Sequence, residues 1–121
     1  MVVHNFRELI AWQKSMALAK YIYTVSSHFP QSEQYALTSQ VQRAATSIPS
    51  NIAEGAGRTT QKELVHFLSF ALGSSYELET EISLAKEFIY IDNETYTDLN
   101  NKIVEVQKLI YSLMKKYNDS H

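Results

Sequence analysis

A chain of 121 residues with only three glycines and two prolines has few places to turn. An all-β domain needs a turn roughly every 8 to 12 residues and draws on these residues to make it. The sequence is therefore expected to fold as a few long helices with short connections. Its 45% hydrophobic and 20% charged residues suffice for one packed core without covalent staples.

Apolar residues recur at spacings of three and four in four stretches. The first, over about 6–27, aligns Leu9, Trp12, Met16, Ala19 and Tyr23 and stops at Phe29-Pro30. The second, about 33–57, opens on Ser32 as N-cap and aligns Leu37, Val41, Ala44, Ile48, Ile52 and Gly55, with a kink expected at Pro49. The third, about 60–91, starts at a Thr60/Glu63 capping box, and its seam runs Leu64, Leu68, Ala71, Ser75, Leu78, Ile82, Ala85 and Ile89. The fourth, about 94–117, follows an Asp92-Asn93 turn and repeats Tyr96, Leu99, Ile103, Val106, Ile110, Leu113 and Tyr117 as a heptad. Short connections force consecutive helices to lie side by side, so the expected fold is all-α: an antiparallel up-down-up-down four-helix bundle forming a single domain over 1–121.

Several chemistries are excluded. The chain has no cysteine, hence no disulfide, thiolate zinc site or cysteine nucleophile, which fits a reducing compartment; the expected location is the cytoplasm. No basic leader precedes an apolar run, and no stretch is long enough to cross a bilayer, so neither export nor a membrane partner is expected. Glu63-Leu64-Val65-His66 has the E-x-x-H spacing of di-iron bundles, but such a site needs two elements and the chain has one. His4, His28 and His121 fall at predicted ends, and Glu63 is better explained as a cap. Gly55-Ala56-Gly57-Arg58 follows a helix and lacks the Lys-Ser/Thr of a phosphate loop, and no serine sits in a nucleophile elbow. The expectation is no enzyme, no catalytic residue, no metal and no cofactor.

The helix faces carry more information. The third helix has a second apolar stripe, Phe67, Phe70, Leu84 and Phe88, with Gly73, Ser74, Glu77 and Glu81 interleaved. An isolated bundle needs one buried face per helix, so Phe67, Phe70, Ser74, Glu77, Glu81 and Phe88 are expected to form a subunit interface; the alternative is a broad core face. The second helix carries a polar stripe at the edge of its apolar face: Gln40, Arg43, Ser47, Asn51, Glu54 and Arg58. Arg43 could find a carboxylate at Glu77, Glu79 or Glu81, giving a structural polar network of Arg43, Ser47, Asn51, Glu54 and Glu77.

The run from Arg43 to Arg58, RAATSIPSNIAEGAGR, followed by Lys62-Glu63, Phe67, Ala71, Gly73-Ser74 and Glu77-Leu78-Glu79, closely resembles the four-helix-bundle proteins encoded in 23S rRNA intervening sequences. The likeness extends to Leu9, Trp12-Gln13-Lys14, Phe29-Pro30, Glu33, Tyr35, Leu37 and Gln40. It implies a small bundle assembling into a ring-like homopentamer, similar to the accessory variability protein of diversity-generating retroelements, which engages nucleic acid and a reverse transcriptase. It implies no catalysis. One departure lies at the end of the third helix, where the family often places a glycine and this chain reads Phe88-Ile89-Tyr90-Ile91-Asp92.

Eleven basic against thirteen acidic side chains leave a net charge of -2, so any nucleic-acid surface must be local. In an up-down-up-down bundle Arg7, Lys14, Arg58, Lys62, Lys108, Lys115 and Lys116 fall toward one end, opposed by Glu8, Glu54, Glu63 and Asp119. The other end holds Lys86 and Lys102 against Glu33, Glu87, Asp92, Glu94 and Asp98. A symmetric ring would gather copies of the basic end on one rim, where contacts to RNA, DNA or a nucleic-acid enzyme could act together. The alternatives are a solvated surface with scattered lysines, and a scaffold that binds protein only.

Overall fold

The computed structural model describes residues 2–118. Among them there are four α-helices and no strand: α1 (Ile10–Ser26), α2 (Leu37–Ala56), α3 (Gln61–Glu87) and α4 (Asn93–Asn118). Single 3-10 turns at Phe6–Glu8 and Gln31–Glu33 precede α1 and α2. Each helix packs on its chain neighbours, α1 also lies alongside α4, and among the described residues the backbones of the diagonal pairs do not approach as closely, so the helices occupy four corners. The tie of Ser47 on α2 to Ser74 on α3, Gln42 on α2 to Ser26 on α1, and Gln107 on α4 to Glu79 on α3 fits the antiparallel up-down-up-down order.

The core is drawn from the seams expected for α2, α3 and α4, of which Tyr96, Leu113 and Tyr117 are only partly buried. Val41, Ile48, Ile52, Leu64, Leu68, Leu78, Ile82, Leu99, Ile103 and Ile110 are essentially inaccessible, each such aliphatic side chain contributing about 1.5–3 kcal/mol on burial. Helix α1 departs from the expected stripe. Its buried residues are Ala11, Ser15, Leu18, Ala19, Ile22 and Ser26, whereas Met16 and Tyr23 are 46% and 47% exposed. The stripe read from the sequence lies on the flank of α1 that turns toward α2. Ser15 and Ser26 can enter the core because each hydroxyl donates to a carbonyl of its own helix, those of Trp12 and Tyr23.

Three helix boundaries also differ. The chain is not helical from residue 6 to 27 without a break, because Asn5 caps a separate turn by accepting from Arg7 N–H at 3.1 Å and Leu9 is extended. Ser32 does not cap the second helix. It lies inside a 3-10 turn, and Glu33 supplies the cap instead, its Oε1 accepting from Leu37 N–H at 3.3 Å. Helix α2 runs through Pro49 as one element. Pro49 takes from the Ala45 carbonyl its usual donor, while the hydroxyls of Thr46 and Ser50 bond back to the carbonyls of Arg43 and Thr46 just beside it.

Helix α3 stops at Glu87, short of residue 91. Tyr90 N–H reaches Ala85 C=O at 2.9 Å and Ile89 N–H reaches Lys86 C=O at 3.0 Å, the paired bonds of a Schellman cap. That cap requires a left-handed residue, and Ile89 fills it at φ 63°. A β-branched side chain there costs on the order of 1–2 kcal/mol, and with Ile89 86% exposed no buried contact offsets it. Ile89 therefore leaves the predicted seam and points into water. The Ile89→Gly variant should be more stable by about 1 kcal/mol, a rise in Tm of roughly 4 °C. Thermal unfolding of the two proteins checks this, and an unchanged or lower Tm would show that the turn is not strained.

Candidate subunit and nucleic-acid interfaces

The corner between α2 and α3 sets the geometry of the candidate site. A Cβ on Gly55 would lie 2.8 Å from Phe67 Cβ and 3.2 Å from Leu64 Cδ1 and its carbonyl, so only glycine lets the helices come this close. Thr60 then caps α3 as expected, its Oγ1 accepting from Glu63 N–H at 3.1 Å and donating to Glu63 Oε1 at 3.0 Å. Glu63 is thus a capping residue. Among the described residues no group of three or more His, Asp or Glu is placed to hold a metal, and no helix is long and apolar enough to cross a membrane.

The expected polar network separates into three parts. Ser47 and Ser74 share a hydrogen bond of 2.8 Å across the helix pair, and Asn51 Nδ2 donates to the Ser47 hydroxyl and carbonyl at 3.0 and 2.9 Å. Glu54 turns away to Arg58 at 2.9 Å. Arg43 is exposed and takes part in none of the three ion pairs found among the described residues, so it does not hold Glu77, Glu79 or Glu81. Glu79 instead accepts from Gln107 Nε2 of α4 at 2.8 Å.

The six residues expected at a subunit interface divide likewise. Phe70 and Phe88 are 48% and 53% exposed, with Leu84 and Glu77 exposed on the same edge. Gly73 also lies there, and a Cβ on it would meet nothing within 4 Å. Ser74 is taken up by Ser47. Phe67 is half-buried within its own protomer, against Gly55 and under the Arg58 guanidinium, which stacks 4.4 Å from the ring centroid. Its partner is intramolecular because Gly55 leaves the space that Phe67 fills.

Glu81 is the departure that sequence periodicity could not reveal. It is 7% exposed, and its Oε1 has no hydrogen-bond partner. Two carboxylates cannot donate to each other, so Glu81 and Glu77 can share a bond only with a proton between them. Burial first, then the Glu77 charge and that shared bond, push the Glu81 carboxyl up to about 7.

The seven basic candidates are placed as follows. Arg7 stacks over Phe6 at 4.7 Å and Lys116 over Tyr117 at 5.3 Å. Lys14 pairs with Glu105 at 3.9 Å and Arg58 with Glu54 at 2.9 Å. Lys62, Lys108 and Lys115 are exposed and outside those ion pairs. Glu105 thus joins the carboxylates opposing the basic set, which weakens the expected excess; Asp119 and His121 lie outside the described residues. At the opposite end Lys102 pairs with Asp98 at 2.8 Å and Lys86 sits over Tyr96 at 4.5 Å. Asp92 caps α4 by accepting from Thr95 N–H at 2.7 Å, and this backbone bond holds its carboxyl below the ordinary value.

A carboxyl raised from 4.5 to about 7 binds its proton more tightly in the folded protomer than in the unfolded chain. Its contribution is present below pH 4.5 and is lost as pH rises through about 7, a swing on the order of 3 kcal/mol. For a single chain, Glu81→Gln should therefore gain about 1–3 kcal/mol over the parent at pH 8 and almost nothing at pH 4. Urea unfolding of both at the two pH values tests this, and a gap that does not change with pH would contradict it.

The sequence matches the family described as 23S rRNA-intervening sequence protein over residues 7–112. No curated protein matches it. Among solved structures it is similar to the crystal structure of a protein of unknown function from the S23 ribosomal protein family of Bacteroides thetaiotaomicron. The two are 27% identical with a TM-score of 0.82, over 88% of this chain and 99% of that one. With its four helices and a match from before α1 to within the last turns of α4, the chain belongs to the 23S rRNA-intervening sequence protein family.

Proposed function

We propose that the protein is a non-enzymatic, self-assembling adaptor of the cytoplasm: a homopentamer of four-helix bundles whose repeated basic end contacts RNA, DNA or a nucleic-acid enzyme. The observation that carries this reading is the exposed edge of α3, where Phe70, Leu84 and Phe88 stand in water beside Gly73. Covering apolar surface gains about 25 cal/mol per Å², and a second copy is always at hand to do it. The number five comes with the family resemblance. Within the assembly Lys62, Lys115 and Lys116 recur on each copy, so individually weak phosphate contacts add.

A second reading, a scaffold that binds protein without nucleic acid, is favoured by one observation: Lys14 and Arg58 already have carboxylate partners in the protomer. Light scattering should find about five times the 13.9 kDa protomer mass. Affinity for RNA or DNA should fall steeply between about 50 and 200 mM salt, and charge reversal at Lys62, Lys115 and Lys116 should weaken it on all sequences alike. A species of protomer mass defeats the assembly. Absent or salt-independent binding defeats the nucleic-acid contact and leaves the scaffold.

A further inference from the structure

Two flanks of this bundle are apolar, exposed and different in shape. One is the edge of α3 just described, a ridge. The other is a groove of about 550 Å³ between α1 and α2, lined by Trp12, Met16, Lys20, Tyr23, Pro49 and Ala53. The groove explains why the sequence stripe of α1 is half-exposed. Met16 and Tyr23 are spaced for packing, yet nothing in their own protomer packs on them fully.

Each flank carries charge of opposite sign set among its apolar groups. On the ridge, Glu77 and Glu81 lie between Phe70 and Leu84, and Glu81 Oε1 is buried without a hydrogen-bond partner. In the groove, Lys20 lies between Met16 and Tyr23, is exposed, and takes part in none of the ion pairs described. Gly73 adds an independent sign. A glycine within a helix costs about 1 kcal/mol relative to alanine, and here no atom of the protomer lies near enough to require it. An unneeded glycine on an exposed ridge is explained by close approach of something outside the protomer.

Resting on the self-assembly reading above, we propose that the α3 ridge of one copy seats in the α1/α2 groove of the next, with Lys20 of the groove meeting Glu77 and Glu81 of the ridge. The contact is heterologous, since ridge and groove are different surfaces, and it leaves the groove of one copy and the ridge of the other free for further neighbours. The corners of the bundle place the groove on the α1–α2 face and the ridge on the adjoining α2–α3 face, because Ser74 points to α2 while Glu79 faces α4. Adjoining faces of a four-cornered bundle meet at about 90°. Contact faces that meet at about 90° close a ring after four copies, and faces opened to about 108° close it after five.

The experiment uses the full chain with one flank blocked at a time. Met16→Lys spoils the groove and Phe70→Asp spoils the ridge; both sites are exposed, and circular dichroism confirms that each variant is folded. Each alone should sediment as a protomer. Mixed in equal amounts, they should form a 1:1 pair and nothing larger, because the mixture has one intact ridge and one intact groove that can meet. Lys20→Glu should weaken association at least tenfold, and adding Glu77→Lys should restore most of it. Assembly of Met16→Lys like the parent, or a mixture that stays monomeric, overturns the ridge-in-groove contact while leaving self-assembly standing. A parent protein that is itself monomeric overturns both.

Discussion

The close approach of α2 and α3 at Gly55 is the constraint on which the rest of the structure depends. Leu64 and Phe67 occupy the space a side chain at residue 55 would need, so the two helices leave the corner pressed together. That spacing brings Ser47 within 2.8 Å of Ser74, where two small hydroxyls satisfy each other and a larger pair would wedge the helices apart. It also directs Phe67 inward under Arg58, which leaves Phe70, Leu84 and Phe88 as the ridge. The interior packing and the surface available to partners have one cause.

The helices were legible because apolar spacing over twenty or more residues is a strong signal. The seams of α2 and α4 follow from it, and the Thr60 cap follows from the Thr60/Glu63 capping box. What could not be read was which of two apolar flanks on one helix faces inward. Trp12, Met16 and Tyr23 have the same spacing as Leu18 and Ile22, and only the positions of α2 and α4 decide between them. The end of α3 departs from its apolar spacing for a similar reason. Ile89 continues the seam by type and spacing, whereas the chain spends it on a left-handed turn that glycine would fill more easily.

Polar groups were harder still. Arg43 and Glu77 look like partners on adjoining helices, yet Arg43 remains in water and the carboxylates of α3 face one another instead. Complementary charge identifies candidates for pairing, but side-chain reach and burial select among them. Glu33 shows the converse. No periodicity singles it out, and its carboxylate does two jobs: Oε1 caps α2 and Oε2 accepts from the Tyr90 hydroxyl at 2.7 Å.

That second bond spans 57 residues and fastens the α1–α2 connection to the α3–α4 connection, with the Phe29 ring 5.7 Å from Tyr90 beside it. At the far end the Val2 N–H reaches the Arg58 carbonyl at 3.1 Å, tying the start of the chain to the α2–α3 corner. The α1–α2 and α3–α4 hairpins are thus joined at one extremity by the Glu33–Tyr90 bond and at the other by the α2–α3 corner, to which the start of the chain is fastened. Opening of α1 from α4, the adjoining helices with the sparsest mutual packing, must then break these ties as well, which couples it to the rest of the bundle.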